Sequence, residues 1–176
     1  GVAEGFDFAG KLTEPLYTHF SGSKQRQCST ASALGEPLDA AGMMAALRSH
    51  YPKDEGKVFT RGSVKSVCMH AGGIGDHTTG SLVVSLRRNS PATLWCTGAS
   101  TPCISAFKPV FFGLDSGAPV FESEEEAKRY WLQRETIHRG ILAGIVDVTA
   151  LRARIKVLEN SWITQEQYLF NADTAE

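Results

Sequence analysis

The chain has no excess of either charge. Its 18 lysines and arginines stand against 19 aspartates and glutamates, for a net charge of -1. That balance gives no electrostatic reason to expect nucleic acid or an anionic membrane as partner. No apolar run approaches the roughly 18–20 residues that span a bilayer. The opening residues, "GVAEGFDFAG", have neither the basic nor the apolar region of a signal peptide. Cysteine is sparse: Cys28, Cys68, Cys96 and Cys103 are too few in 176 residues for a disulfide scaffold. These absences lead to the expectation of a cytoplasmic chain with reduced thiols. It should form a single domain, or a fragment of one, over residues 1–176, with no nucleic-acid and no membrane partner.

Several catalytic signatures are missing too. "GGIG" has no lysine after it and does not open a helix, so it is not a phosphate loop. "SGSK" matches the serine–lysine tetrad of penicillin-recognising enzymes, but the "SDN" and "KTG" that should accompany it are absent. There is no G-x-S-x-G elbow. Arg87 and Arg88, in a turn, read as solvated charges, and Trp95, Trp131 and Trp162 as core residues.

What is present is ordinary folding material, with 42% apolar and 21% charged residues. "FDFAGKL" alternates like a short strand. The Ser-, Gly- and Pro-rich stretch from Glu14 to Pro37 predicts a long loop. "LDAAGMMAALRSHYP" predicts a helix capped by Asp39, with Leu38 and Met43 at staple positions, ending before Pro52. "SVKSVCM", "GSLVVSLRR" and "ATLWCTG" predict strands, the last two paired as a hairpin across "RRNSPA". "STPCISAFKPVFFGLDSGAP" predicts an extended loop anchored at Val110 to Phe112. Ser123 and Glu126 form a capping box that opens a helix, Gly144 breaks it, and a second helix follows over "VDVTALRARIKVLENSW". The fold class is therefore α+β, an antiparallel sheet with helices packed on it. Strands are expected over about 1–112 and a helical hairpin over about 123–163.

"CMHAGGIGDHTT" is the richest stretch for chemistry. Cys68, His70, Asp76 and His77 are all metal-ligand types. Zinc sites, however, are built from compact pairs such as C-x2-4-C with H-x3-5-H. Cys68 and His70 are one residue apart, and His77 lies beyond flexible glycines. The expectation is a loop with incidental histidines, no metal and no other cofactor.

The order of segments resembles the carboxyl-terminal half of secernins and their bacterial relatives, the cysteine dipeptidases. "FDFAG", "AGMMAALRSHY", a Val-Cys segment, "TTGSLVVSL", "WCTGASTPCISAFKPVFFG" and "YWLQRETIHRGIL" follow one another as they do there, from about Phe6 to Arg154. The resemblance implies half of an N-terminal-nucleophile hydrolase sandwich, with two facing sheets between helical layers (αββα). It also implies hydrolysis of peptide or related amide bonds, with small peptides as substrates. The family's nucleophile is a cysteine at residue 1, whose own α-amino group, with a pKa near ~8, serves as base. Residue 1 here is Gly1 and the other cysteines are internal. This chain alone is therefore expected to be inactive, with no catalytic residue of its own and the amino-terminal half of the same protein as its partner. The resemblance further implies substrate contacts from Arg26 and Ser23 in "SKQRQCSTA", and from Thr78 and Thr79 at the start of a strand. A non-catalytic binding or interaction module on the same scaffold is the alternative.

Overall fold

Two runs of β-branched and aromatic residues pair as expected, and the rest of the chain is arranged around them. The computed structural model describes residues 5–35, 38–73, 75–112 and 123–171. Gly1 and the far end of the loop expected after Phe112 lie outside these residues. Strand β1 (Ser81–Ser85) runs antiparallel to β2 (Thr93–Thr97), and β2 runs antiparallel to β3 (Lys108–Phe111). The sheet order is β1-β2-β3. Val83 stands opposite Trp95, and Trp95 opposite Pro109.

The alternation of a strand sends these residues to one face. There Val83 and the fully buried Trp95 pack with Phe107 and Met44, flanked by Trp162 and Ile163. Met44 comes from α4 (Ala40–Leu47), and Trp162 and Ile163 from α7 (Val148–Asn171). The other face carries Leu82, Val84, Leu94, Cys96, Lys108 and Val110, of which Leu82 is 54% and Val84 43% exposed, and Lys108 lies over the Tyr130 ring of α6 (Glu124–Leu142). The sheet thus has its buried core on one face and, on the other, apolar side chains left exposed at β1.

The helices start where capping chemistry allows. Asp39 caps α4 by accepting from the Gly42 amide at 2.7 Å. Ser123 caps α6 (Glu124–Leu142) by accepting from the Glu126 amide at 3.2 Å. Gly144, at φ +70°, ends the turn after α6, a left-handed conformation that glycine adopts at little cost. A second apolar cluster of Cys68, Cys103, Ile104 and Ile141 lies between α6, α7 and the loops, with Phe59 and Leu151 against it.

Four expectations about elements are corrected. "FDFAGKL" holds a helical turn, α1 (Phe8–Leu12), because Asp7 accepts from the Gly10 amide at 2.8 Å and starts it. The long loop is two helices, α2 (Pro15–Phe20) and α3 (Ser23–Ala33). α2 has Pro15 at its first position, a site where proline is favoured, and Glu14 as its cap. In α3 the hydroxyls of Ser29 and Thr30 bond back to the carbonyls of Gln25 and Arg26 instead of competing with the helix. "SVKSVCM" is not a strand. α5 (Val58–Arg61) precedes it, and a single bridge joins Ser63 to His70. The extended loop after Ser100 contains a 3-10 turn (Pro102–Ile104) and then β3. The sheet thus lies within Ser81 to Phe111, and among the described residues before it the helices end at Arg61 and irregular chain with one isolated bridge follows.

Candidate functional site

The sequence-predicted residues fall into two places. Arg26 and Ser23, in the first turns of α3, line a cleft of about 800 Å³ with Tyr17, Phe20, Met69 and Asp76. Arg26 Nη1 donates to the Ser21 carbonyl at 2.6 Å and to the Val64 carbonyl. A Cβ on Gly22, which sits at φ +68°, would stand 2.7 Å from the same Val64 oxygen, so glycine lets α3 dock there. Thr78 lies elsewhere. Its hydroxyl accepts from the Met69 amide at 2.9 Å and donates to the Val67 carbonyl at 3.4 Å, tying the approach to β1 onto the 63–70 loop. Thr79 is exposed beside it. The structure does not bring Thr78 and Thr79 into the Arg26 cleft.

A denser group of reactive side chains forms around His70. The Ser63–His70 bridge holds this loop inside the fold, with Cys68 fully buried and His70 1% exposed. Its backbone is further fixed by the Cys68 amide, which donates to the Ser49 carbonyl at 3.1 Å. That bond sets the loop beside the end of α4, where His50 follows. The 3-10 turn brings in Cys103 from the opposite side. His70 Nε2 lies 3.3 Å from His50 Nε2, 3.7 Å from Cys68 Sγ and 3.4 Å from Cys103 Sγ. His50 Nδ1 faces Glu55 Oε2 at 3.1 Å, and Thr101 Oγ1 lies 3.4 Å from Cys103 Sγ.

The electrostatics of the group are asymmetric. A hydrogen bond from Cys68, together with those from His50 and His70, holds the Cys103 thiol far below the usual thiol range in spite of burial. The same Cys68–Cys103 contact, with burial, pushes Cys68 up. Burial opposes the charged form of His50, yet Cys103 and Glu55 outweigh it and raise its pKa. Cys103 is therefore the first of the two thiols to ionise, facing a histidine inclined to keep its proton.

His50 and Cys103 also border a cleft of about 440 Å³ lined by Arg48, Glu55, Arg152 and Glu159. Arg152 Nε donates to the Cys103 carbonyl at 3.1 Å. His77 does not join the four. Its Nδ1 accepts from the Ala71 amide at 3.0 Å, and its ring stacks edge-on against His138 at 4.7 Å.

Sequence reasoning missed His50 and Cys103 because they lie 20 and 33 positions from His70. No local spacing marks a group assembled across three segments. No protein-family model, no curated protein and no solved structure matches the chain.

Proposed function

We propose that this chain is the carboxyl-terminal half of a secernin-like cysteine dipeptidase, an enzyme that hydrolyses peptide or related amide bonds with a nucleophile supplied by an amino-terminal half of the same protein. One observation carries the reading. The sheet packs α4 and α7 on one face, while the opposite face is apolar at Leu82, Val84, Leu94 and Val110, with Leu82 and Val84 exposed and Lys108, over the Tyr130 ring of α6, its one charged residue. An antiparallel sheet with one solvated face ordinarily alternates apolar and polar residues, and this one does not. A sandwich of two facing sheets would bury such a face.

Cys68 and Cys103 are buried, so neither is offered to a substrate as a nucleophile. In this reading Ser23 and Arg26 contact substrate from their cleft, with Thr78 and Thr79 nearer the sheet. Guanidinium forks toward a carboxylate, so Arg26→Lys should already weaken hydrolysis in the longer protein.

The test is the mature amino terminus and dipeptidase activity of the longer protein, measured beside residues 1–176 alone. A terminal cysteine with hydrolysis that the shorter chain lacks is the expected result. A different terminal residue and no hydrolysis would leave the non-catalytic module. Turnover by residues 1–176 alone would overturn both.

A further inference from the structure

We propose that His50, Cys68, His70 and Cys103 bind one zinc ion as a closed, four-ligand structural site. The inference stands on geometry within this chain and does not depend on the hydrolase reading. The four ligand atoms all lie within 4.8 Å of one another. Three of the residues are buried, and the His50 side chain is only 4% exposed.

Their spacing has the dimensions of a metal tetrahedron. With Zn–N near 2.0–2.1 Å and Zn–S near 2.3 Å, tetrahedral angles put two nitrogens about 3.3 Å apart and a nitrogen and a sulfur about 3.5 Å apart. The nitrogen–nitrogen edge here is 3.3 Å. The two nitrogen–sulfur edges from His70 are 3.4 and 3.7 Å.

Hydrogen bonding alone does not account for this arrangement. His70 Nε2 carries either one proton or one lone pair, yet two sulfurs and a second imidazole nitrogen converge on it. A cation at the centre would satisfy all four inward atoms together. Two thiolates and two neutral imidazoles would then neutralise a divalent charge inside an apolar cluster, where uncompensated charge is costly.

The surroundings fit as well. Metal-bound histidines usually hand their outer nitrogen to a carboxylate, which fixes the tautomer and aims the other lone pair at the ion. Glu55 does this for His50, while the outer nitrogen of His70, Nδ1, has no protein partner. Zinc suits a mixed sulfur and imidazole set, and four protein ligands leave no open position, so the role is structural. This reverses the expectation drawn from Cys68, His70, Asp76 and His77: two of those residues stay as ligands, and the other two come from distant segments.

The test is metal analysis of protein made with zinc and purified under reductant, with Cys68→Ser, Cys103→Ser, His77→Ala and Glu55→Gln compared. About one zinc per chain is expected in the wild type, kept by His77→Ala and lost from each cysteine variant. Glu55→Gln should bind zinc about 10- to 100-fold more weakly. If the cysteine variants do not fold, cobalt substitution of the wild type serves instead. Its absorption should show tetrahedral coordination with two thiolate ligands. Four free thiols with no metal would overturn the proposal, as would a Cys68–Cys103 disulfide with no metal, or full zinc content in the cysteine variants.

Discussion

The surroundings of His77 disfavour its protonated form. Burial lowers its pKa, the neighbouring His138 and His70 lower it further, and Glu135 and Asp76 pull the other way without reversing it. The hydrogen bond agrees with that direction, because Nδ1 must keep its lone pair to accept from the Ala71 amide. A folded-state pKa below the ordinary 6.5 means that the unfolded chain takes up this proton first as the pH falls. The contribution of His77 is therefore complete above about pH 6.5 and is lost as the pH drops through its folded value. Stability measured by urea at several pH values should fall less steeply toward acid in His77→Gln than in the wild type. Equal slopes would show that His77 is not the group responsible. The same residue illustrates what could be read from sequence. Its histidine beside Asp76 looked like a candidate ligand, but what it touches is an amide six residues back and an imidazole on α6. Arg87 was misjudged in a similar way. It was expected to be solvated, but it binds the Pro91 carbonyl, the Thr93 hydroxyl and Glu166 of α7, with Phe170 beneath it.

At the scale of elements, buried acids on α7 fasten the fold. Glu159, with its side chain 6% exposed, receives two prongs from Arg48 at 2.8 and 2.5 Å and the Phe107 amide at 2.6 Å. Arg48 also donates to the Pro102 and Ser105 carbonyls, so one guanidinium joins the end of α4, the 3-10 turn and α7. Removing the acid would strand a largely buried cation and a buried amide. Glu159→Ala should destabilise the chain by about 3 kcal/mol, the low end for a broken buried pair because Arg48 keeps some solvent access. Urea denaturation gives the value, and a loss under about 1 kcal/mol would place the pair with surface ion pairs.

Elements that rest on local signals were legible in the sequence: the β1–β2 hairpin, the Asp39 and Ser123 caps and the break at Gly144. Elements that depend on tertiary partners were not. α3 is too polar to show a helical stripe, and β3 exists because Leu94 and Trp95 offer it an edge to pair with. The inward face of α7 also went unread, since Glu159 and Glu166 look like solvent residues until Arg48 and Arg87 reach them.

Over the whole molecule, the described residues contain no helix long and apolar enough to cross a membrane. The unpaired feature at this scale is apolar surface. α1 and α2 expose Phe8, Leu12, Leu16 and Phe20, and the sheet exposes Leu82 and Val84. The proposed half of a larger sandwich makes a testable demand on the exposed positions of β1. The most direct measurement is the effect of Leu82→Arg on melting temperature, made once in residues 1–176 and once in the longer protein. In the short chain Leu82 faces solvent, so the substitution should change stability by no more than about 0.5 kcal/mol. In the longer protein a second sheet would bury the new guanidinium without a partner, and both melting temperature and dipeptide hydrolysis should fall sharply. A substitution equally silent in both proteins would contradict the proposal, because the open face would then be ordinary solvent surface.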